Sequence, residues 1–467
     1  MIANFWCYFA TIVTVSMAVS PTLFASAENP EAIEELRTGV RSVANAAWWG
    51  FNEEDATEAL QAAINSSARR VIVPNMKRDW IVRPIQLAGD QELILEKGVV
   101  ITAKRGEYRG KGDSVFRARD VSNLTVRGYG ATVRMQKEDY IVGKVLLDLD
   151  WHRWFDQYEK AEWRMTLSLN GCTNVNVYGL TLKDSGGDGI YIAGGKEKRP
   201  CRNIHIKDVV CDNHYRQGIS IISVDGLLVE NSVFKNTWGT PPSAGVDIEP
   251  DSPEEIVKDI VFRDCDFTDN YGDGIQAHLA HQRNTSAEVS ILFENCRVSS
   301  RRGSGIRVTK VADDGPAGRI EFRGCVVEDT EGYGIKIQDK SADRARVRFI
   351  DCTVRNAANN RRYEGAWAPI WLHSFRSKQT QKFGGIDFVD CRIGDDQDRP
   401  IILLEESEGE FGVFDLTGTI SASNPFGVKT DLGRKQQGVS LIVNPVAQES
   451  KLSPSSAKDR VRRHSDQ

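Results

Sequence analysis

Two acidic residues stand two apart in Ser243-Ala244-Gly245-Val246-Asp247-Ile248-Glu249-Pro250-Asp251. Side chains of a strand alternate between its faces, so burying Val246 and Ile248 turns Asp247 and Glu249 to one outer, solvent-facing side as close neighbours. Such a pair suits acid–base chemistry. The charge on one carboxylate keeps a proton on the other, which leaves an acid and a base at neutral pH. Same-face residues two apart have Cα atoms about 6.5–7 Å apart, a spacing open to either stereochemical outcome of glycoside hydrolysis.

The frame that holds the pair recurs along the chain. Gly189-Ile190-Tyr191-Ile192, Gly218-Ile219-Ser220-Ile221, Gly274-Ile275-Gln276-Ala277, Gly305-Ile306-Arg307-Val308 and Gly334-Ile335-Lys336-Ile337 repeat its apolar alternation, and only the middle copy carries two acids. Gly189, Gly218, Gly245, Gly274, Gly305, Gly334 and Pro369 follow one another at steps of 29, 27, 29, 31, 29 and 35 residues, the period of a solenoid. A second column keeps phase with the first. Phe262, Phe293, Phe322, Phe349 and Phe388 are each followed three residues later by Cys265, Cys296, Cys325, Cys352 and Cys391.

Two columns per period mean several short strands per coil, and stacking the coils joins their apolar faces into one core. Leucine-rich repeats have a shorter period and add a helix, while propeller blades are longer and antiparallel. The remaining fold class is all-β, a parallel β-helix of about ten coils over residues 71–445. Its stacked cysteines point in parallel, which predicts buried, unpaired thiols and no disulfide framework.

Coils stack about 4.8 Å apart, so the frame lists surface neighbours. One outward column reads Tyr191, Ser220, Asp247, Gln276, Arg307, Lys336, Trp371; a parallel one reads Ala193, Ile222, Glu249, His278, Thr309, Gln338, His373. Acids, amide, imidazole, cations and aromatics in one strip suit a carbohydrate chain, since planar side chains stack on sugars and cations pair with a uronate or sulfate. Asp247, Glu249, His278 and Asp273 are the catalytic candidates. Tyr191, His214, Arg216, Gln276, Arg307, Lys336 and Trp371 are the substrate-binding candidates. Asp184, Asp188 and Asp273 lie in the turns before the frame, where an Asp-Gly step also invites backbone capping.

The 467 residues are 40% hydrophobic and 27% charged, with a formal net charge of -5 and no basic cluster, which excludes bulk capture of nucleic acid. Residues 1–27 are uncharged, apolar from Phe5 to Val19, and end in Ala25-Ser26-Ala27. They read as a cleaved secretory signal and a secreted or periplasmic product with no later membrane contact. The absence of Lys or Arg from Met1 to Asn4 keeps a retained anchor as the alternative. Residues 28–70 form an N-terminal cap with a helix over Ala59-Leu60-Ala62-Ala63-Ile64. Residues 136–164 interrupt the pattern with an insertion containing Trp151, Trp154 and Trp163, and residues 446–467 read as a disordered tail.

A helix followed by an apolar strand ending in Pro74 resembles the opening of the pectin-lyase-like superfamily, which implies a right-handed parallel β-helix whose open end the helix caps. The succession Gly186-Gly187-Asp188-Gly189-Ile190, Arg216-Gln217-Gly218-Ile219-Ser220 and Gly245-Val246-Asp247-Ile248-Glu249-Pro250 is similar to that of uncharacterised secreted β-helix proteins within it. The resemblance spans residues 45–445 and implies a carbohydrate-active protein. The paired-Asp and Gly-His-Gly turns of polygalacturonases and the Asp-Pro-His motif of mannuronan epimerases are missing. A hydrolase would use Asp247 and Glu249 and need no cofactor. A lyase or epimerase would place Ca²⁺ among Asp188, Asp247, Glu249 and Asp273, with Arg307, Lys336, His214 or His278 taking a proton. A non-catalytic glycan binder is the third reading; oligomeric state is left open.

Overall fold

The computed structural model describes residues 25–66, 68–140, 161–359, 368–375, 382–406 and 412–447. The signal up to residue 24, most of the insertion and the tail from residue 448 lie outside them. The described chain winds as a right-handed parallel β-helix. One side of every coil contributes a rung to a twelve-stranded parallel sheet that begins at Ile85–Gln86 and Phe116–Arg119 and ends at Ile402–Glu406 and Thr430–Asp431. The other sides join in a 23-stranded sheet, where long strands such as Thr173–Lys183 and Phe383–Gly394 bend round a corner. Twelve rungs exceed the ten or so expected: seven carry the frame from Gly189 to Pro369, three precede them and two follow.

Register in the twelve-stranded sheet runs Ile190, Ile219, Val246, Ile275, Ile306, Ile335, Ile370, each directly beside the next and all buried. The second column has a local cause. Asp264, Asn295, Asp351 and Asp390 take φ of 54, 55, 52 and 51°, and Gly324 takes 61°. Asn, Asp and Gly tolerate this left-handed conformation best, and it turns the chain sharply so that the next residue, always Cys here, points inward. Cys265, Cys296, Cys325, Cys352 and Cys391 are buried free thiols, as are Cys172, Cys201 and Cys211. Beside them Phe262, Phe293, Phe322, Phe349 and Phe388 stack with centroids 4.9, 5.2, 4.9 and 5.1 Å apart.

The helix Thr57–Asn65 buries Leu60, Ala63 and Ile64 against the first strands and closes that end of the core. Among the described residues no helix is long and apolar enough to cross a membrane.

Candidate functional site

The outward column is continuous. Tyr191, Ser220, Asp247, Gln276, Arg307, Lys336 and Trp371 stand on successive rungs in direct register, and His278, Thr309, Gln338 and His373 do so beside them. Glu249 follows its strand, its N–H donating to Ile221 O at 3.1 Å.

Pointing away from the core does not make Asp247 solvent-facing. It is 1% exposed, because side chains of both neighbouring coils close over it. Gln217 Nε2 donates to Asp247 Oδ2 at 2.9 Å and Gln276 Nε2 to Oδ1 at 3.0 Å. Each amide is oriented by its other end: Gln217 Oε1 accepts from Ala244 N–H at 2.8 Å, and Gln276 Oε1 faces Arg307 Nη1 at 3.4 Å. Burial drives the pKa of Asp247 well above the carboxylate range, and the charge and close contact of Glu249 drive it further. The amide donors and Arg216 favour the ionised form and lose. Asp247 therefore keeps its proton far more readily than an ordinary carboxyl. Glu249, with 27% of its side chain exposed, is the member a ligand can touch.

Arg216 sits among acids. Its guanidinium lies 3.6 Å from Asp188 Oδ2, 3.7 Å from Glu249 Oε2 and 4.0 Å from Glu162 Oε2. Asp188 is fully buried, and neither of its oxygens has a hydrogen-bond partner among the described residues, so the capping reading fails for it. Burial raises its pKa to about 6 against the pull of Arg216; Ser220 Oγ and the Gln217 N–H lie near enough to lower it slightly without well-formed hydrogen bonds. Tyr191 shares this environment, its phenol pushed up by burial and then by Asp188. His278 Nε2 stands 4.0 Å from Glu249 Oε1, and burial lowers its pKa, so it is neutral at pH 7.

Other candidates are not where a ligand could use them. His214 is fully buried behind Gly189: its Nδ1 bonds Ser185 Oγ at 2.8 Å, and burial lowers its pKa to about 3. It is part of the packing, not of a binding surface. Gln276 is spent on orienting Asp247. Asp273 Oδ1 accepts from Ser304 N–H of the next coil at 2.6 Å while Oδ2 faces Arg307 Nη1 at 3.5 Å, so it caps a turn and anchors a cation. Asp184 lies at a left-handed corner and accepts from Asn213 Nδ2 at 2.7 Å. Trp371 is 7% exposed, covered by Tyr333 at 4.5 Å, His373 at 4.2 Å and Lys336 Nζ at 4.6 Å from its ring. It cannot offer a face to a sugar.

Arg307 and Lys336 remain half-buried side by side. Burial, then the charge of Arg307, lowers the pKa of Lys336 to about 8. Among the described residues, Asp188 Oδ1 and Oδ2, Ser220 Oγ, Arg307 Nε and Thr309 Oγ1 are buried polar atoms of this strip with no hydrogen-bond partner. For Ca²⁺ the donor set does not fit. No three His, Cys, Asp or Glu side chains of the described residues converge as metal ligands, and both Asp247 oxygens already accept amide hydrogens.

Gln217 and Glu162 were not picked out from the sequence. Gln217 occupies the position before the frame glycine, as Asp188 and Asp273 do on their coils, and that shared position was the available signal. Glu162, before the first framed rung, carried none.

A family model described as a right handed beta helix region matches residues 199–368. A curated relative, the SPbeta prophage-derived uncharacterized protein YorA of Bacillus subtilis (strain 168), is 23% identical over 316 residues, 61% of this chain and 50% of that protein. The chain thus spans about half the length of this relative. Among solved structures, the mannuronan C-5 epimerase AlgE6 A-module of Azotobacter vinelandii superposes with a TM-score of 0.54 at 14% identity, over 85% of this chain and 96% of that one. The HK620 tailspike of an E. coli bacteriophage, solved with a hexasaccharide, gives 0.52 at 12%, over 84% and 76%. The GH87 alpha-1,3-glucanase of Streptomyces thermodiastaticus strain HF3-3 gives 0.51 at 12%, over 86% and 68%. Likeness at these identities is likeness of fold.

Proposed function

The chain is a right-handed parallel β-helix with the fold of the pectin-lyase-like superfamily, and from that premise we propose that it cleaves a polysaccharide by acid–base hydrolysis in the strip around Asp247 and Glu249. The observation that carries this reading is the buried, amide-covered Asp247 carboxyl next to the accessible Glu249, beside an arginine that also faces the buried carboxyl of Asp188. Asp247 is covered by its two amides and only Glu249 reaches solvent, so the two do not flank a sugar bond as a separated acid and base would. They serve as one half of the machinery. Glu249 delivers the proton of the pair to the glycosidic oxygen as the C–O bond breaks. Across Arg216 the accessible acid is Glu162, which takes the proton of the water that attacks the anomeric carbon, while buried Asp188, ionised above about pH 6, holds the guanidinium between the two from below.

No step is routed through calcium. The lyase or epimerase reading rests on neutral His278 as base with Arg307 and Lys336 on a uronate, and product analysis separates it. New reducing ends without near-ultraviolet absorbance support hydrolysis; an unsaturated uronate supports the lyase; no cleavage across a polysaccharide panel leaves a binder. We propose that the substrate is met outside the cytoplasm, after cleavage following Ala27. N-terminal sequencing of exported protein tests this, and intact Met1 in a membrane pellet would overturn it.

A further inference from the structure

One border of the strip is the row of turns that lead into its rungs. Hydrogen bonds between coils order them: Tyr215 and Arg216 N–H donate to Gly187 O (3.1 and 3.0 Å), Trp238 N–H to His214 O (3.0 Å), Tyr271 N–H to Thr237 O (2.8 Å) and Arg302 N–H to Tyr271 O (3.1 Å). Residues 162–164 lie against Gly187, where an added Cβ would meet Arg164 N at 2.6 Å and Glu162 O at 2.7 Å. Along this row Trp163, Trp238 and Tyr271 are 41, 40 and 41% exposed, with Tyr215 half-buried among them.

Folding does not require aromatic rings there, since the phenylalanines of these coils already fill the core. Yet the rings are held. Trp238 Nε1 donates to Asn213 Oδ1 at 2.9 Å, Lys137 Nζ lies 4.2 Å from its ring, and the Arg302 guanidinium lies 5.0 Å from that of Tyr271. A cation on one side of a ring fixes its tilt. Glu162 stands beside both Tyr215 and Arg216, so the row is continuous with the acid cluster.

Pyranose rings carry flat apolar faces that stack on exposed aromatics. The coil rise of about 4.8 Å is close to the length one pyranose adds to a chain, and the four steps from Trp163 to Tyr271 span roughly 19 Å. We infer that this row is a second binding track for a pyranose polysaccharide, which lies along the solenoid axis beside the cleavage strip and keeps the enzyme on long chains. The inference rests on the reading of the protein as acting on a glycan.

Affinity electrophoresis through gels containing pectin, alginate, hyaluronan or dextran tests it, with cleavage of the same four polymers assayed in parallel. Trp238→Ala/Tyr271→Ala, whose folding is checked by circular dichroism, is expected to lose about tenfold in apparent affinity for whichever polymer retards the wild type. Trp238→Phe, which keeps a ring, is expected to retain most of the binding, and Asp247→Asn to bind while failing to cleave. Equal retardation of wild type and the double variant overturns the track, as does cleavage of a polymer that retards neither protein; both leave the hydrolase reading standing. A wild type that neither binds nor cleaves any of the four overturns both for these substrates.

Discussion

The two outer faces of the same coils are built on opposite rules. On the larger sheet Lys207, Glu230, Arg263, Glu294 and Arg323 stand in direct register, alternating in sign. Arg263 reaches Glu294 at 2.8 Å and Glu230 at 3.5 Å, and Arg323 reaches Glu294 at 3.8 Å. On the twelve-stranded sheet like charges are neighbours: Asp247 beside Glu249, Arg307 beside Lys336. Opposite charges across a rung stabilise and like charges destabilise, so the first arrangement is what a parallel stack settles into when it only has to fold. The second costs stability, through buried acids and orphaned polar atoms, which is the pattern expected where side chains are arranged for a site and not for folding alone.

The largest expected effect breaks that contrast directly. Glu249→Gln or Asp247→Asn should lower turnover by about 10²–10⁴ with the fold intact, whereas Glu294→Gln on the paired face should leave turnover unchanged. Circular dichroism and turnover on the substrate found in the panel check both; equal loss at Glu294 would erase the distinction between the faces.

Arg216→Gln removes the cation shared by Asp188, Glu249 and Glu162. With less to favour its charge, Asp188 should hold its proton to higher pH, and the acid limb of the kcat/KM profile, set near 6, should move up by about one pH unit. Arg216→Lys should restore much of it. A pure packing role would lower the profile without moving it.

Asp188 also makes the unpaired face legible in stability. Its folded-state pKa lies above the unfolded value near 4, so the folded state binds the proton more tightly. That advantage is full below about pH 4 and is lost as pH rises to about 6. Asp188→Asn should flatten this fall and stabilise the protein by roughly 1–3 kcal/mol above pH 6, read by denaturant titration at pH 4 and pH 7. Smallest of all, Arg263→Gln in the ladder should cost about 0.2–1 kcal/mol, less at high salt, because both partners are partly exposed.

Much of this was legible in the chain. The Gly-Ile frame repeats often enough to set the register, so the order Tyr191, Ser220, Asp247, Gln276, Arg307, Lys336, Trp371 along one face could be read directly. The Phe and Cys columns reported the core, since a residue type that recurs at one period must stack on itself. Period 2 alternation decides which side of the sheet a side chain leaves from, and that is a local property of the strand.

What lies above the side chain once it has left is not local. Gln217 and Gln276 sit 30 and 29 residues from Asp247 in the sequence and cover it only because the coils bring them to adjacent rungs. Trp371 points outward as its alternation demands, yet Tyr333, His373 and Lys336 cover it; His214 lies in a turn that folds inward under Gly189. The sequence alone determined the solenoid, its register and which acids share a face, because those follow from periodicity. Only the tertiary structure decided that Asp247 is buried and its pKa driven up, that Glu249 is the accessible acid and that Arg216 ties them to Asp188. Burial and charge at a point in space are sums over side chains from several coils.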